Sequence, residues 1–198
     1  FYQDGKHGVQ LYIRRVFIMN DCKELIPEYM RFIKGVVDSE DLSLNVSREM
    51  LQQDRQTAQI KNSLTKKVLD TLSKLRKDKP ETYAKFWQTF GVVLKEGIIS
   101  DTRHREEIMK LCSFETSDGE KTTLEDYVIK MPAGQDKIYY LTGSSLDNLR
   151  NSPKLEAFKK RGVSVLLLSD PVDEIWVNNA RKFDKYDFVS ASAENVDL

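Results

Sequence analysis

The densest chemistry in this 198-residue chain lies between Leu44 and Gln53, LNVSREMLQQ. Ser47 is a residue type that caps helices, because its hydroxyl accepts from a backbone N–H two or three positions on. Arg48 follows at once and Gln52 stands one turn later, so a guanidinium and an amide share one side of a helix start. The free N–H groups and partial positive charge of such an end suit an anion. An arginine held there can reach a terminal phosphate bound elsewhere and stabilise charge as it is transferred. The same spacing also lets Arg48 pair with Glu49, or with the acidic turn at Glu40-Asp41, in a purely structural role.

Other chemistries lack their residues. There is no G-x-G-x-x-G, no G-x-x-x-x-G-K-[ST] and no G-x-S-x-G in the chain, so neither a glycine-rich phosphate loop nor a nucleophile elbow is expected. His7 and His104 belong to no ligand-spaced cluster, and no metal site is expected. Cys22 and Cys112 form no CxxC and read as free buried thiols of a reducing, cytoplasmic setting. Lysine plus arginine equals aspartate plus glutamate, 31 against 31, which argues against a nucleic-acid partner. No apolar run approaches the roughly 20 residues that span a bilayer, so no membrane association is expected. The start at Phe1, without methionine, leads to the expectation of a trimmed fragment.

The elements that must position Arg48 follow from the pattern. Leu11 to Met19 (LYIRRVFIM) reads as one strand, with Leu11, Ile13 and Phe17 on one face and Tyr12, Val16 and Ile18 on the other. Pro27 opens a helix with Leu25, Tyr29 and Ile33 repeating every four residues and Gly35 at its end. Gly35 to Asp38 is a short strand, and Ser47 caps a short helix through Gln52. Asp54 caps a long helix to about Lys77 with a stripe of Ile60, Leu64, Val68, Leu72 and Leu75.

Pro80 starts a helix with Tyr83, Phe86, Trp87, Phe90 and Leu94 on an aromatic face, Trp87 being assigned to the core. Asp101 caps a helix with Ile108 and Leu111. Thr122-x-x-Glu125 has capping-box spacing and opens a helix to Met131. Then come a strand at Lys137–Leu141, short helices at Leu146–Arg150 and Lys154–Arg161, a buried strand at Val163–Leu168, a helix at Asp173–Lys182 and a third strand at Phe188-Val189. The expected class is α/β. Residues 1–77 form the C-terminal part of a large, incomplete α/β layer, 78–132 a helical connector, and 133–198 a small parallel α/β subdomain.

Several stretches resemble the heat-shock protein 90 family. They are Arg14-Arg15-Val16-Phe17-Ile18, Ile26-Pro27, Phe32 to Leu42 (FIKGVVDSEDL), Leu44 to Gln53, Tyr83 to Gly97 (YAKFWQTFGVVLKEG), Leu124-Glu125-Asp126-Tyr127, Lys137-Ile138-Tyr139-Tyr140 and Val165 to Leu168. The resemblance runs the length of the chain, in order, and its wording is closest to the bacterial branch. It implies the middle segment of an ATP-dependent chaperone. In that family the segment gives an arginine and a glutamine, matched here by Arg48 and Gln52, to the γ-phosphate of Mg²⁺-ATP held by an N-terminal domain. A C-terminal domain makes the homodimer, and the 70-kDa heat-shock chaperone is a possible partner.

The resemblance also implies client proteins held on a mixed apolar and charged surface. Phe17, with Arg14 or Arg15 beside it, and Glu174, Trp176 and Asn178 are its candidates. Ser43 stands where many members have proline, and some members carry the tryptophan one residue before Trp176. The family has strands ahead of Phe1, so the first layer is expected to be incomplete. The fragment alone is expected to be inactive towards ATP. Two other readings stand beside this one: a stand-alone small-molecule α/β enzyme built on the last third, and a passive protein-interaction scaffold in which Arg48 is structural.

Overall fold

The computed structural model describes residues 8–193. The chain is a mixed α/β protein that divides into two compact units, Phe1–Pro80 and Glu81–Leu198.

In the first unit, β1 (Val9–Ile13) and β2 (Val16–Met19) are the arms of a hairpin, where the sequence predicts one continuous strand. Ile13 faces Val16 across a two-residue turn in which Arg14 and Arg15 take φ of 48° and 66°. A tight hairpin needs positive φ at both turn residues and normally recruits Asn-Gly. Here the partners come from β3 (Gly35–Ser39), which runs parallel to β1: Arg14 N–H donates to Ser39 O at 3.0 Å and Arg15 N–H to the Asp38 carboxylate at 3.2 Å. Surroundings that over-determine the turn are what let two arginines hold it.

The helix predicted from Pro27 is only a 3-10 turn, Glu28–Met30. Leu25 and Tyr29 are nonetheless buried and Ile33 half-buried, so the four-residue spacing reports a packed loop rather than a helix face. Beyond β3 the caps fall where the sequence puts them. Ser47 caps α1 (Arg48–Gln53) and Asp54 caps α2 (Arg55–Asp78). On α2 the deepest residues are Thr57, Thr65, Leu69 and Leu72, while Ile60, Leu64 and Val68 flank them half-buried. The buried stripe is rotated towards two threonines, one of which, Thr65, returns its hydroxyl to Lys61 O.

The second unit opens with α3 (Pro80–Ser100), whose buried face is Tyr83, Val93, Leu94, Lys95 and Ile98. Trp87, expected in the core, is half-buried and lies along Gly91, where a β-carbon would sit 2.8 Å from its ring. Asp101 accepts from His104 N–H, a turn before α4 (Arg105–Leu111) begins. Two short strands follow that the sequence reading missed, β4 (Phe114–Thr116) and β5 (Lys121–Thr122), both within the stretch read as helical. Thr123 rather than Thr122 caps α5 (Leu124–Ile129), because Thr122 is taken up by β5.

Then come β6 (Lys137–Thr142), α6 (Leu146–Arg150), α7 (Glu156–Lys160), β7 (Leu166–Leu168), α8 (Pro171–Ala180), β8 (Lys182–Phe183) and β9 (Tyr186–Ser190). They join β4 and β5 in one sheet of order β5-β4-β7-β6-β9-β8. β6 is parallel to β7 and β9, and the outer pairings are antiparallel. The three inner strands are the parallel arrangement that the strand–helix alternation predicts. One core cluster joins Tyr139, Leu141, Val165 and Leu167 to Leu149, Leu155 and Phe158 of the crossover.

Candidate functional site

The loop that carries Arg48 is fixed at both ends. At its start the Ser39 hydroxyl accepts from Asp41 and Leu42 N–H at 3.3 Å each, and Leu42 is buried. At its end Ser47 Oγ accepts from Met50 N–H at 3.3 Å, and Leu51 buries the inner side of α1. Asp54 closes α1 and opens α2 together, its carboxylate accepting from both the N–H and the hydroxyl of Thr57 at 3.1 and 2.9 Å. Burial works against ionisation of Asp54, but these bonds outweigh it and hold the carboxyl below its ordinary range.

Arg48 is therefore displayed from a firm base, with its side chain 47% exposed. Its guanidinium makes no ion pair with Glu49, Glu40 or Asp41, though its charge adds a small pull on Glu49. It turns instead to residues 20–24, donating to Asn20 O at 3.2 Å, to Asp21 O at 3.4 Å and to Glu24 Oε2 at 3.4 Å. Glu24 is 10% exposed and also receives the Cys22 thiol at 3.5 Å. Glu49 is drawn below its ordinary range mainly by its own backbone N–H, then by the Ser47 hydroxyl. Gln52 is exposed on the same helix. With only six residues in α1, the helix field is weak and the guanidinium supplies the positive charge. Among the described residues no group of three His, Cys, Asp or Glu could hold a metal ion.

Phe17, on β2, is 48% exposed and packs edge-on against Tyr12 with ring centres 5.5 Å apart. Val16, 52% exposed, and the two turn arginines complete an outward apolar and cationic patch.

The second candidate surface is corrected by the structure. Trp176 has no exposed area; its ring packs between Phe114 and Phe188 at 5.7 and 5.4 Å, and its Nε1 donates to Asp173 at 2.8 Å. It cannot be a surface contact in this conformation. Glu174 and Asn178 do face outwards, and the apolar residue between them is Ile175, 54% exposed, which the sequence reading missed. Its signal was the run Ile175-Trp176-Val177, three apolar residues of which a surface helix buries only part.

The model of the Hsp90 protein family matches residues 1–198, the whole chain. The chain belongs to the Hsp90 family. Its relatives in that family include proteins named Chaperone protein HtpG from Mycolicibacterium gilvum and Rhodococcus jostii, each 54% identical over 200 residues, and from Streptomyces coelicolor, 52% identical over 200 residues. All three cover 100% of the chain, which spans 31% of their length. As an Hsp90-family segment, it carries Arg48, Gln52, Phe17 and the outer face of α8 on its surface. No helix among the described residues is long and apolar enough to cross a membrane.

Proposed function

We propose that this chain is the middle segment of an ATP-dependent molecular chaperone. In this reading Arg48 reaches the γ-phosphate of ATP held by an N-terminal domain of the same parent protein, with Gln52 beside it. Phe17 and the outer face of α8 contact partly folded client proteins. The observation that carries the reading is the state of Arg48. It stands on a capped, anchored helix, yet its own contacts are 3.2–3.4 Å long and half in solvent. Long contacts on a half-exposed guanidinium are ones that a phosphate can displace.

The chain's residues also fit the division of labour. A guanidinium and an amide can stabilise charge on a transferred phosphoryl group, while nucleotide binding and Mg²⁺ would be supplied from outside this segment. Dimerisation through a C-terminal domain, cooperation with the 70-kDa heat-shock chaperone and a cytoplasmic setting belong to the same proposal. The buried thiols of Cys22 and Cys112, neither in a disulfide, suit such a reducing compartment.

The test is steady-state ATP hydrolysis by the full-length parent carrying Arg48→Ala, with nucleotide affinity measured alongside. Turnover should fall by about tenfold or more, or ~1.4 kcal/mol of barrier, at unchanged affinity. The contacts of Arg48 with residues 20–24 also favour a second reading, a passive scaffold in which the arginine only ties the loop down. Unchanged turnover would select it.

A further inference from the structure

The sequence of α8 leaves its rotation undecided. Ile175, Trp176 and Val177 are consecutive apolar residues, and successive side chains on a helix point about 100° apart. Rotations that bury Ile175 or bury Trp176 are both open to a ten-residue helix, and the larger ring on Phe114 and Phe188 already favours the second. A polar cluster beneath the first turn fixes the observed rotation further.

Asp173 is 1% exposed, and its Oδ1 accepts from Lys95 Nζ at 2.7 Å and from Trp176 Nε1 at 2.8 Å. Its Oδ2 accepts from Asp170 N–H at 2.9 Å, which closes a capping box at the start of α8. Lys95 lies on α3 and is 4% exposed; it also donates to the Asp170 carboxylate at 2.9 Å. Its ammonium stands 5.5 Å from the Phe114 ring centre and 5.9 Å from that of Trp87. Burial alone would pull Lys95 down, but the charge and hydrogen bond of Asp173, then Asp170, outweigh it and hold the ammonium above its ordinary value.

We infer that Lys95 is a positioning residue for the client-facing side of α8: through Asp173 it fixes the rotation that turns Glu174, Ile175 and Asn178 outwards. Any other rotation would part Asp173 from the ammonium and leave two buried charges without each other, which is strongly unfavourable. The same roll would leave the Trp176 N–H without its acceptor. The ion cluster thus acts as a register mark, doing for helix orientation what a single buried polar residue does for coiled-coil register. This inference rests on the reading of α8 as a client surface, and its test separates the two.

The full-length parent and four variants would be titrated against fluorescently labelled, reduced and carboxymethylated α-lactalbumin, a permanently unfolded probe. Ile175→Asp tests the surface and should weaken binding by about tenfold or more. Lys95→Met should do the same without touching the probe, while Lys95→Arg, which keeps a cation, restores most of the affinity. Val177→Ala is the control, since it loosens the same helix from the core without disturbing the cluster. It should lower the melting temperature and leave affinity within about twofold.

Equal affinity losses in Lys95→Met and Val177→Ala, once matched for thermal stability, would reduce Lys95 to a stability role and overturn the inference. Full binding by Ile175→Asp would instead remove α8 from the client surface, and the inference with it. If Lys95→Met does not fold, Trp176→Phe removes the N–H tie to Asp173 together with part of a buried ring, and is compared with Val177→Ala at matched thermal stability so that lost packing is accounted for. A several-fold loss of affinity supports the positioning, and none overturns it.

Discussion

Glu24 is a single carboxylate with two clients of its own, the guanidinium of Arg48 and the thiol of Cys22. Burial first, and then Glu24, push the Cys22 thiol from its ordinary 9.0 up to about 11. The folded chain therefore holds that proton more tightly than the unfolded chain, and the difference is stability that is present below about pH 9 and lost as pH rises towards 11. Wild type and Cys22→Ala, compared by denaturant midpoint at pH 8 and pH 11, should differ most at the lower pH. In the native state Cys22 should also resist Ellman's reagent at pH 8, because the thiolate is the attacking form. Fast labelling under native conditions would contradict the buried geometry.

Elements defined by local chemistry were legible in the sequence, and those defined by distant partners were not. Ser47 and Asp54 announce α1 and α2 because a cap is settled within three or four residues. The Arg14-Arg15 turn gives no such sign, since its positive φ is stabilised by Ser39 and Asp38, more than twenty residues on. β4 and β5 are three and two residues long with mostly polar side chains, so they carry no strand pattern apart from the sheet they join. Of the candidate site, the Ser47 cap and the short helix that carries Arg48 and Gln52 were readable from spacing, whereas the roles proposed for those two residues come from the family resemblance. The buried place of Trp176 was not readable, because its ring packs on Phe114 and Phe188, which lie in strands distant from it or beyond it in sequence. At the scale of elements the hinge of interest is Asp54, which serves two helices. Asp54→Ala should cost about 0.5–2 kcal/mol, measured by chemical denaturation. Its effect on α1 should also show as faster hydrogen exchange of the amides around Arg48; unaltered exchange there would mean that Ser47 and Leu51 hold α1 without it.

The whole chain spans about a third of its HtpG relatives, and its chemistry is correspondingly partial. In the proposed reading it contributes only a charge to a nucleotide held elsewhere: no glycine-rich loop occurs in its sequence and no metal-binding group among its described residues. A lone arginine lowers a barrier only for a nucleotide already held in place. The purified 198-residue chain should accordingly show no ATP turnover above the uncatalysed background. Hydrolysis by the pure chain, abolished by Arg48→Ala, would show that it holds nucleotide itself.

The six-stranded sheet of the second unit ends in β5 on one side and β8 on the other, each two residues long. A sheet border that short offers a passing extended chain only one or two ladder bonds, too few to seed growth. Lysine stands in both borders, as Lys121 and Lys182, which further discourages stacking of one molecule on the next. For a protein proposed to keep company with sticky, half-folded chains, this is self-protection. It can offer them side-chain surface while denying them a template on which to aggregate.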